Sequence, residues 1–386
     1  MKLGQSAIKT RAWTMMVVLL IGVTVATAAD AVAASDAQLD IMLERVRRDH
    51  AIPALAVGVV DAGEIRYLRT LGAPEGARFR AASISKLLTA QAIARLAEDG
   101  TLSLDDDLGR HVPAFAGRGV TLRHLLTHTS GLDDGPRPRN RSDASSVDAY
   151  VEELARIAPL ESPGATWRYT DSEYNLLGAV ITVVTGRPFA EHVAETLLAP
   201  VGADGASLFL AERDDVLVPH LNFGIALPAP SRAFDIAFAP SEGLVTDVES
   251  LTRWLAATLN RDPRLLRPAT YEAMLAPQFG NHAAMGWQVS ERNGRRIAQH
   301  GGSFTGWSAL ILTYPDQRRG FVVLSNAYDA PRWAIVDAIE AVLDGRTPSM
   351  PASSWGRRVI FWSIPAFLTT ITGLVAIIVM RRLVKR

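Results

Sequence analysis

The chain has no cysteine, and lysine is almost as scarce. The first absence excludes disulfide staples and a lipid-modified cysteine anchor. The fold must therefore be held by its core alone, which about 310 residues between the two ends allow. Charge of either sign in excess is also missing: 40 basic residues balance 40 acidic ones. With no long basic block outside the ends, nucleic acid is a poor fit as a partner. There are no internal repeats, and 48% hydrophobic residues with regular patterning speak against wholesale disorder.

The scarcity of lysine is informative in a different way. Lys2, Lys9 and Lys385 lie at the extreme ends, which leaves Lys86 as the one lysine in the body of the protein. Arginine keeps its proton at any working pH, whereas a desolvated lysine amine can release one and act as a base. Lys86 closes the stretch Phe79-Arg80-Ala81-Ala82-Ser83-Ile84-Ser85-Lys86, and Leu87 to Ala94 follows without a charge. Arg95, Glu98 and Asp99 mark a solvated end, with Gly100 as the stop. A helix apolar over most of its circumference is a buried one, so Lys86 sits at its mouth with Ser83 three residues earlier on the same face. The bland reading is a capping serine and a snorkelling lysine. Ser6-Ala-Ile-Lys9 repeats the spacing where no catalysis is conceivable.

The ends suggest a destination. Lys2, Lys9 and Arg11 precede an apolar run from Trp13 to Ala26, followed by the small-residue sites Ala26-Thr-Ala28 and Ala31-Val-Ala33. This is the layout of a secretory signal peptide over residues 1–34; Asp30 and the short apolar core weigh against an uncleaved anchor. At the other end, residues 359–380 carry no charge and precede a basic tail, 381–386. That run is long enough for a transmembrane helix, with the tail on the cytoplasmic side. Trp355 and Trp362 mark the interface, and 346–358 reads as a linker. The sequence thus predicts a body outside the cytoplasm, held in a bacterial cytoplasmic membrane by a single pass.

Within the body, strands and helices follow from periodicity. A helix over 37–48 leads to strands at 55–60 and 65–68, the edge of an antiparallel sheet. Helices follow at Thr121–His128, Val147–Ile157, Tyr174–Val184 and Phe189–Leu198, with Thr121 and Pro188 as start signals. Residues 217–241 show little regular pattern, and Asp247 caps a helix to Leu259. Strands return at 285–289, 295–300, 307–314 and 320–325, before a closing helix over 333–343. Strands at both ends with helices between predict an α/β (α+β) domain over 37–345: an antiparallel sheet flanked by helices, interrupted by a helical subdomain over roughly 100–200. A cleft between the two is the natural site.

Four stretches, at ordered distances, carry a family resemblance. Phe79 to Lys86, Thr121-Leu-Arg-His-Leu-Leu-Thr-His-Thr-Ser-Gly-Leu132, Trp167-Arg-Tyr-Thr-Asp-Ser-Glu-Tyr-Asn-Leu-Leu-Gly178 and Gln299-His-Gly-Gly302-Ser-Phe-Thr-Gly306 resemble the serine β-lactamase and DD-peptidase family. The likeness is strongest to its class C-like branch, which includes D-aminopeptidases and esterases. It implies a β-lactamase/transpeptidase-like fold and an acyl-enzyme mechanism without metal or organic cofactor. By position, Ser83 is then the nucleophile, Lys86 its proton-shuttling partner, and Tyr169 the group that moves the proton to the leaving group. His300 and Gly302 stand where other branches carry Lys-Thr-Gly, and the N–H groups of Ser83 and Ser303 form the oxyanion hole. Whether Lys86 or Tyr169 is the resting base stays open.

The departures narrow the substrate. Where the family has Tyr-x-Asn, this chain has Asp171, which accepts hydrogen bonds but does not donate them. Asp171 is expected to pair with Lys86, hold it charged and remove a donor for substrate amides. Peptidoglycan-type D-amino-acid peptides and esters therefore rank above β-lactams. Glu242 stands where glycine is frequent, and the connection over Leu71 to Ala77 is short. The rival reading is a degenerate domain that binds a cell-wall ligand or scaffolds at the membrane. His124 and His128 have metal-compatible spacing but no His-Glu-x-x-His arrangement, and packing is the better reading. No Gly-x-Ser-x-Gly elbow is present, against an α/β-hydrolase. Trp287, Trp307 and Tyr314 read as core.

Overall fold

The computed structural model describes residues 32–354 apart from 136–143, 209–215, 232–234 and 281, together with 356 and 359. The expected leader 1–34, but for its last three residues, and the expected span 359–380, but for Val359, lie outside the described residues. No helix among the described residues is long and apolar enough to cross a membrane.

The described part opens with helix α1 (residues 32–49), longer than the periodicity predicts. Residues 32–46 join residues 334–351 in a small unit of their own, in which Leu39, Leu43, Ile335 and Ile339 are buried. Apart from α10, everything that follows concerns the large unit.

Strands β1 (Leu55–Asp61) and β2 (Glu64–Leu71) form an antiparallel pair. β3 (Phe79–Ala82) runs into helix α2 (Ser85–Glu98), whose residues from Ser85 to Ile93 are all buried. The uncharged run from Leu87 to Ala94 gives α2 its all-round burial, so it lies in the middle of the core. Truncating one of its large side chains, such as Ile93, would leave a cavity costing about 2–5 kcal/mol.

The helical stretch follows as α3 (Leu122–Leu126), α4 (Ala144–Ala155), α5 (Ser172–Thr185) and α6 (Phe189–Val193), with one π turn over Ala194–Leu198. Thr121 starts α3 as expected: its hydroxyl accepts from the His124 N–H while the His124 ring accepts from the Thr121 N–H.

β4 (Ser207–Leu208) precedes the weakly patterned region, which holds a hairpin of β5 (His220–Asn222) and β6 (Ala226–Pro228) and runs into the short helix α7 (Ala239–Glu242). Then come β7 (Leu244–Thr246), α8 (Val248–Leu259), capped by Asp247 as predicted, and α9 (Pro268–Leu275), which periodicity did not reveal. Strands β8 (Gln288–Arg292), β9 (Arg295–Phe304), β10 (Trp307–Tyr314) and β11 (Arg319–Ser325) precede α10 (Arg332–Leu343).

Among the boundaries that differ from expectation, two lie in the late strands. β8 begins three residues late, because Gly286 takes a left-handed conformation (φ 81°) that ends extended pairing there. β9 runs four residues longer, straight through His300-Gly-Gly302, which the glycines made look like a turn.

The main sheet is wholly antiparallel, in the order β2-β1-β11-β10-β9-β8. The first two strands do form one edge. α8 covers β1, β2 and β11. A second sheet, β3-β7-β4, sits beside β9 and β10. The architecture is the predicted mixed α/β one, with helices inserted between early and late strands. β8 pairs with β9 only as far as Gln299, which leaves the outer edge of His300–Phe304 beyond that ladder.

Candidate active site

The passage from β3 to α2 builds the site. Ala82 is held at φ 49°, a left-handed conformation that costs a non-glycine residue about 1–2 kcal/mol. Ser85 holds the kink: its hydroxyl donates to the Ala82 carbonyl at 2.7 Å and accepts from the Leu244 N–H at 2.8 Å. The turn projects Ser83 into a cleft. Ser83 is not a cap, which corrects the bland reading: α2 is entered through Ile84 with no side-chain cap.

Lys86 lies fully buried beneath Ser83. Its Nζ donates to Ser83 Oγ at 3.3 Å, to Asp171 Oδ1 at 2.7 Å and to the Ser241 carbonyl at 3.1 Å. It also sits 4.9 Å from the centre of the Tyr169 ring. Burial pulls the amine down, but the Asp171 carboxylate and Tyr169 more than reverse this, so it rises from 10.5 to about 12. The amine is a cation over the whole working range.

Asp171 is placed by its position at the start of α5. Asp134 takes over the capping role there, accepting from the N–H groups of Asp171 and Ser172 at 2.5 and 3.1 Å. The Asp171 carboxylate is thereby left to turn inward to Lys86.

His300 is buried on β9, and its Nδ1–H donates to the Gly301 carbonyl at 2.8 Å, which leaves Nε2 as the bare nitrogen. Burial and then the Lys86 cation push this imidazole down to about 3. The ring centre lies 6.1 Å from that of Tyr169. Gly302 is a contact point rather than a lining residue: a Cβ there would stand 2.1 Å from the Ala81 carbonyl oxygen, so only glycine lets β9 lie this close to the end of β3. Ser303, opposite Ser308 in the ladder, is brought to the cleft by that approach.

The cleft has a volume of about 530 Å³. Ser83, Tyr169, Asp171, His300 and Ser303 line it, with Trp167, Glu242, Phe304 and Trp333 around them. The predicted site residues therefore gather at one place, with Lys86 as floor and Gly302 as spacer. Trp287, Trp307 and Tyr314 are buried.

Sequence reasoning missed three supports. The Ser241 carbonyl is a backbone group, which no residue type announces. Arg332 donates to the carbonyls of Gly302 and Ala309 at 2.5 and 2.7 Å, tying β9 and β10 together beside Ser303. Glu173 accepts from Ser130 N–H and Oγ at 3.1 and 2.6 Å and pairs with His128 Nδ1 at 2.5 Å. The His128 ring in turn packs 4.6 Å from Tyr169. The signal for this last support was the acid itself, uncommon inside so apolar a helix. His124 and His128 are thus engaged in hydrogen bonds, as the packing reading expected.

A family model described as Beta-lactamase matches residues 30–343. The chain belongs to the beta-lactamase family. It is accordingly a serine hydrolase by family. This beta-lactamase family member is 27% identical over 331 residues to Penicillin-binding protein 4* of Bacillus subtilis (strain 168), covering 75% of this chain and 72% of that one. It is 25% identical over 327 residues to Protein flp of Staphylococcus aureus (strain MRSA252), covering 76% of this chain and 63% of that protein, so it spans less than two thirds of that relative. Among solved structures, the D-alanine carboxypeptidase AmpC of Burkholderia cenocepacia superposes with a TM-score of 0.68 at 21% identity, over 82% of this chain and 99% of that one. That likeness is one of fold.

Proposed function

We propose that this protein is a membrane-anchored, extracytoplasmic hydrolase that cleaves esters or peptidoglycan-type D-amino-acid peptides through an acyl-enzyme on Ser83. The observation that carries the reading is the contact of Ser83 Oγ with a fully buried lysine amine on the floor of an open cleft.

In this scheme Ser83 Oγ attacks the substrate carbonyl carbon, and the N–H groups of Ser83 and Ser303 receive the developing oxyanion. Lys86, fixed as a cation, is not the base. It steadies negative charge on Oγ, while Tyr169 takes the Ser83 proton and passes its own to the departing alcohol or amine. Water then attacks the acyl carbon, giving a proton to Tyr169 while Tyr169 returns its own to Ser83 Oγ, so that the C–Oγ bond breaks and the acyl portion leaves as the acid. This reading assigns the proton relay to Tyr169 and not to Lys86. His300 stays neutral at physiological pH and offers Nε2 as an acceptor. Asp171 has committed an oxygen to Lys86 and has no proton to donate to a substrate amide, which ranks β-lactams last. The name of the Bacillus relative, a penicillin-binding protein, supports keeping D-amino-acid peptides beside esters.

The location reading rests on the leader-like residues 1–34 and the uncharged run 359–380. A second reading, a domain that binds a cell-wall ligand without turnover, is favoured by the same Lys86–Asp171 pair, since a locked cation cannot take the serine proton.

Mass spectrometry after treatment with a fluorophosphonate probe decides between them. An adduct on Ser83, absent in Ser83→Ala, supports the hydrolase. Absence of both an adduct and any ester or D-amino-acid peptide turnover refutes it.

A further inference from the structure

Sixteen consecutive residues, Val216 to Ser231, carry no charge. They include the β5–β6 hairpin, which turns at Gly224 (φ 83°) with the Phe223 N–H donating to the Ile225 carbonyl at 3.1 Å. Its apolar side chains are not used to fill the core: Val218 is 56%, Phe223 43% and Leu227 38% exposed. Tyr328, 48% exposed, adjoins them, its N–H bonded to the His220 carbonyl at 2.9 Å. A solvated hairpin normally protects itself with charges, above all lysine. This one has none.

Its attachment points in one direction. Asn222 Nδ2 donates to the His50 carbonyl at 2.7 Å. One residue away, the Asp49 carbonyl accepts from Ser354 Oγ at 2.7 Å and from Ser354 N–H at 3.3 Å. The hairpin is thus moored beside the place where the chain departs toward Trp355, Arg357, Arg358 and the uncharged run 359–380. The five residue-to-residue steps from Ser354 to Val359 reach at most about 18 Å when fully extended. A bilayer holding that run therefore has its surface close to the base of the hairpin.

We propose that the β5–β6 hairpin is a second membrane contact, in which Phe223 and Leu227, with Val218, enter the interfacial zone of the bilayer and fix the orientation of the domain. The inference rests on the reading of 359–380 as a membrane anchor and adds a surface to it. The proximity of the anchor favours lipid over a second copy of the chain as the occupant.

The absence of cysteine makes the test direct. Single cysteines at 223 and 227, and at the exposed apolar controls Leu160 and Val183 on the helical stretch, are labelled with an environment-sensitive fluorophore in the full chain. The chain is reconstituted into phosphatidylcholine/phosphatidylglycerol vesicles. Labels at 223 and 227 should shift to the blue and lose about half their intensity to lipids carrying a shallow quencher, as expected for interfacial insertion. The control labels should do neither. A full chain that fails to float with the vesicles overturns the anchor and this contact with it. A chain that floats, with the 223 and 227 labels as wet as the controls, overturns the hairpin contact alone. A blue shift without lipid quenching, together with 223–223 cross-linking between copies, assigns the surface to a second copy and also overturns it.

Discussion

Asp171→Asn tests the electrostatics of the site most directly. The Lys86 amine is fully buried and stands at about 12 instead of 10.5 because a carboxylate lies 2.7 Å away. A folded-state value above the unfolded one stabilises the fold, fully so below pH 10.5, and the gain is lost as pH rises through 12. At about 1.4 kcal/mol per pH unit, the gain is about 2 kcal/mol. In Asp171→Asn, burial becomes the dominant influence and acts the other way. The amine should fall below 10.5, by as much as about 3–5 pH units for a fully buried group. The fold should lose about 3 kcal/mol or more at neutral pH, since an unpaired buried charge remains. The sign of the pH dependence also inverts: the variant becomes more stable as pH rises toward 10.5, where the native chain is level. The assay is an NMR titration of ε-carbon-labelled lysine, in which four lysines give a simple spectrum and Lys86→Met assigns the buried one. A Lys86 value still near 12 in Asp171→Asn would refute the reasoning. Activity on amide-bearing substrates should increase as the Asn donor returns; unchanged or lower activity would dismiss the account of Asp171 as the limit on those substrates.

Two further perturbations probe the supports. Below pH 6.5 the unfolded chain protonates His300 while the folded one resists down to about 3, so stability falls as pH falls through that window. His300→Gln should remove about 2 kcal/mol of the stability difference between pH 7 and pH 5, measured by urea unfolding. An unchanged difference would show that His300 charges freely in the fold. Ser85→Ala breaks the bridge between Ala82 and Leu244 and should cost about 1–3 kcal/mol in unfolding experiments, with a lower rate of Ser83 acylation by the fluorophosphonate. Loss of stability without slower acylation would mean that the kink at Ala82 holds itself.

Much of this was legible in the residues. The uncharged run after Lys86 announced a buried helix, and the scarcity of lysine isolated the amine that lies beneath Ser83. Strand-length apolar runs at 307–314 and 320–325, parted by the Pro315-Asp316 turn, located the central strands almost to the residue. Asp171 was expected to hold Lys86 charged, and the geometry places it there. The rest was hidden for identifiable reasons. The left-handed Ala82 has no side-chain signature, and Ser241 acts through its carbonyl. The extension of β9 through Gly301 and Gly302 looked like a break because glycine usually marks one. The β5–β6 hairpin lies in a proline-containing stretch with no clear period. Its two strands have only three residues each, too few for alternation to show.

The burial of Lys86 has a practical consequence for how this protein meets proteases. It is the one lysine among the described residues, and it lies at the start of the central helix with no exposed surface. A lysine-specific endoprotease therefore finds no accessible bond in the folded body. Cleavage after Lys86 requires α2 to open, and α2 opens only with the core around it. The rate of that single cut, under conditions where reclosing is fast, reports the free energy of the cooperative opening. The residue at the floor of the cleft doubles as a built-in gauge of whether the whole domain is folded.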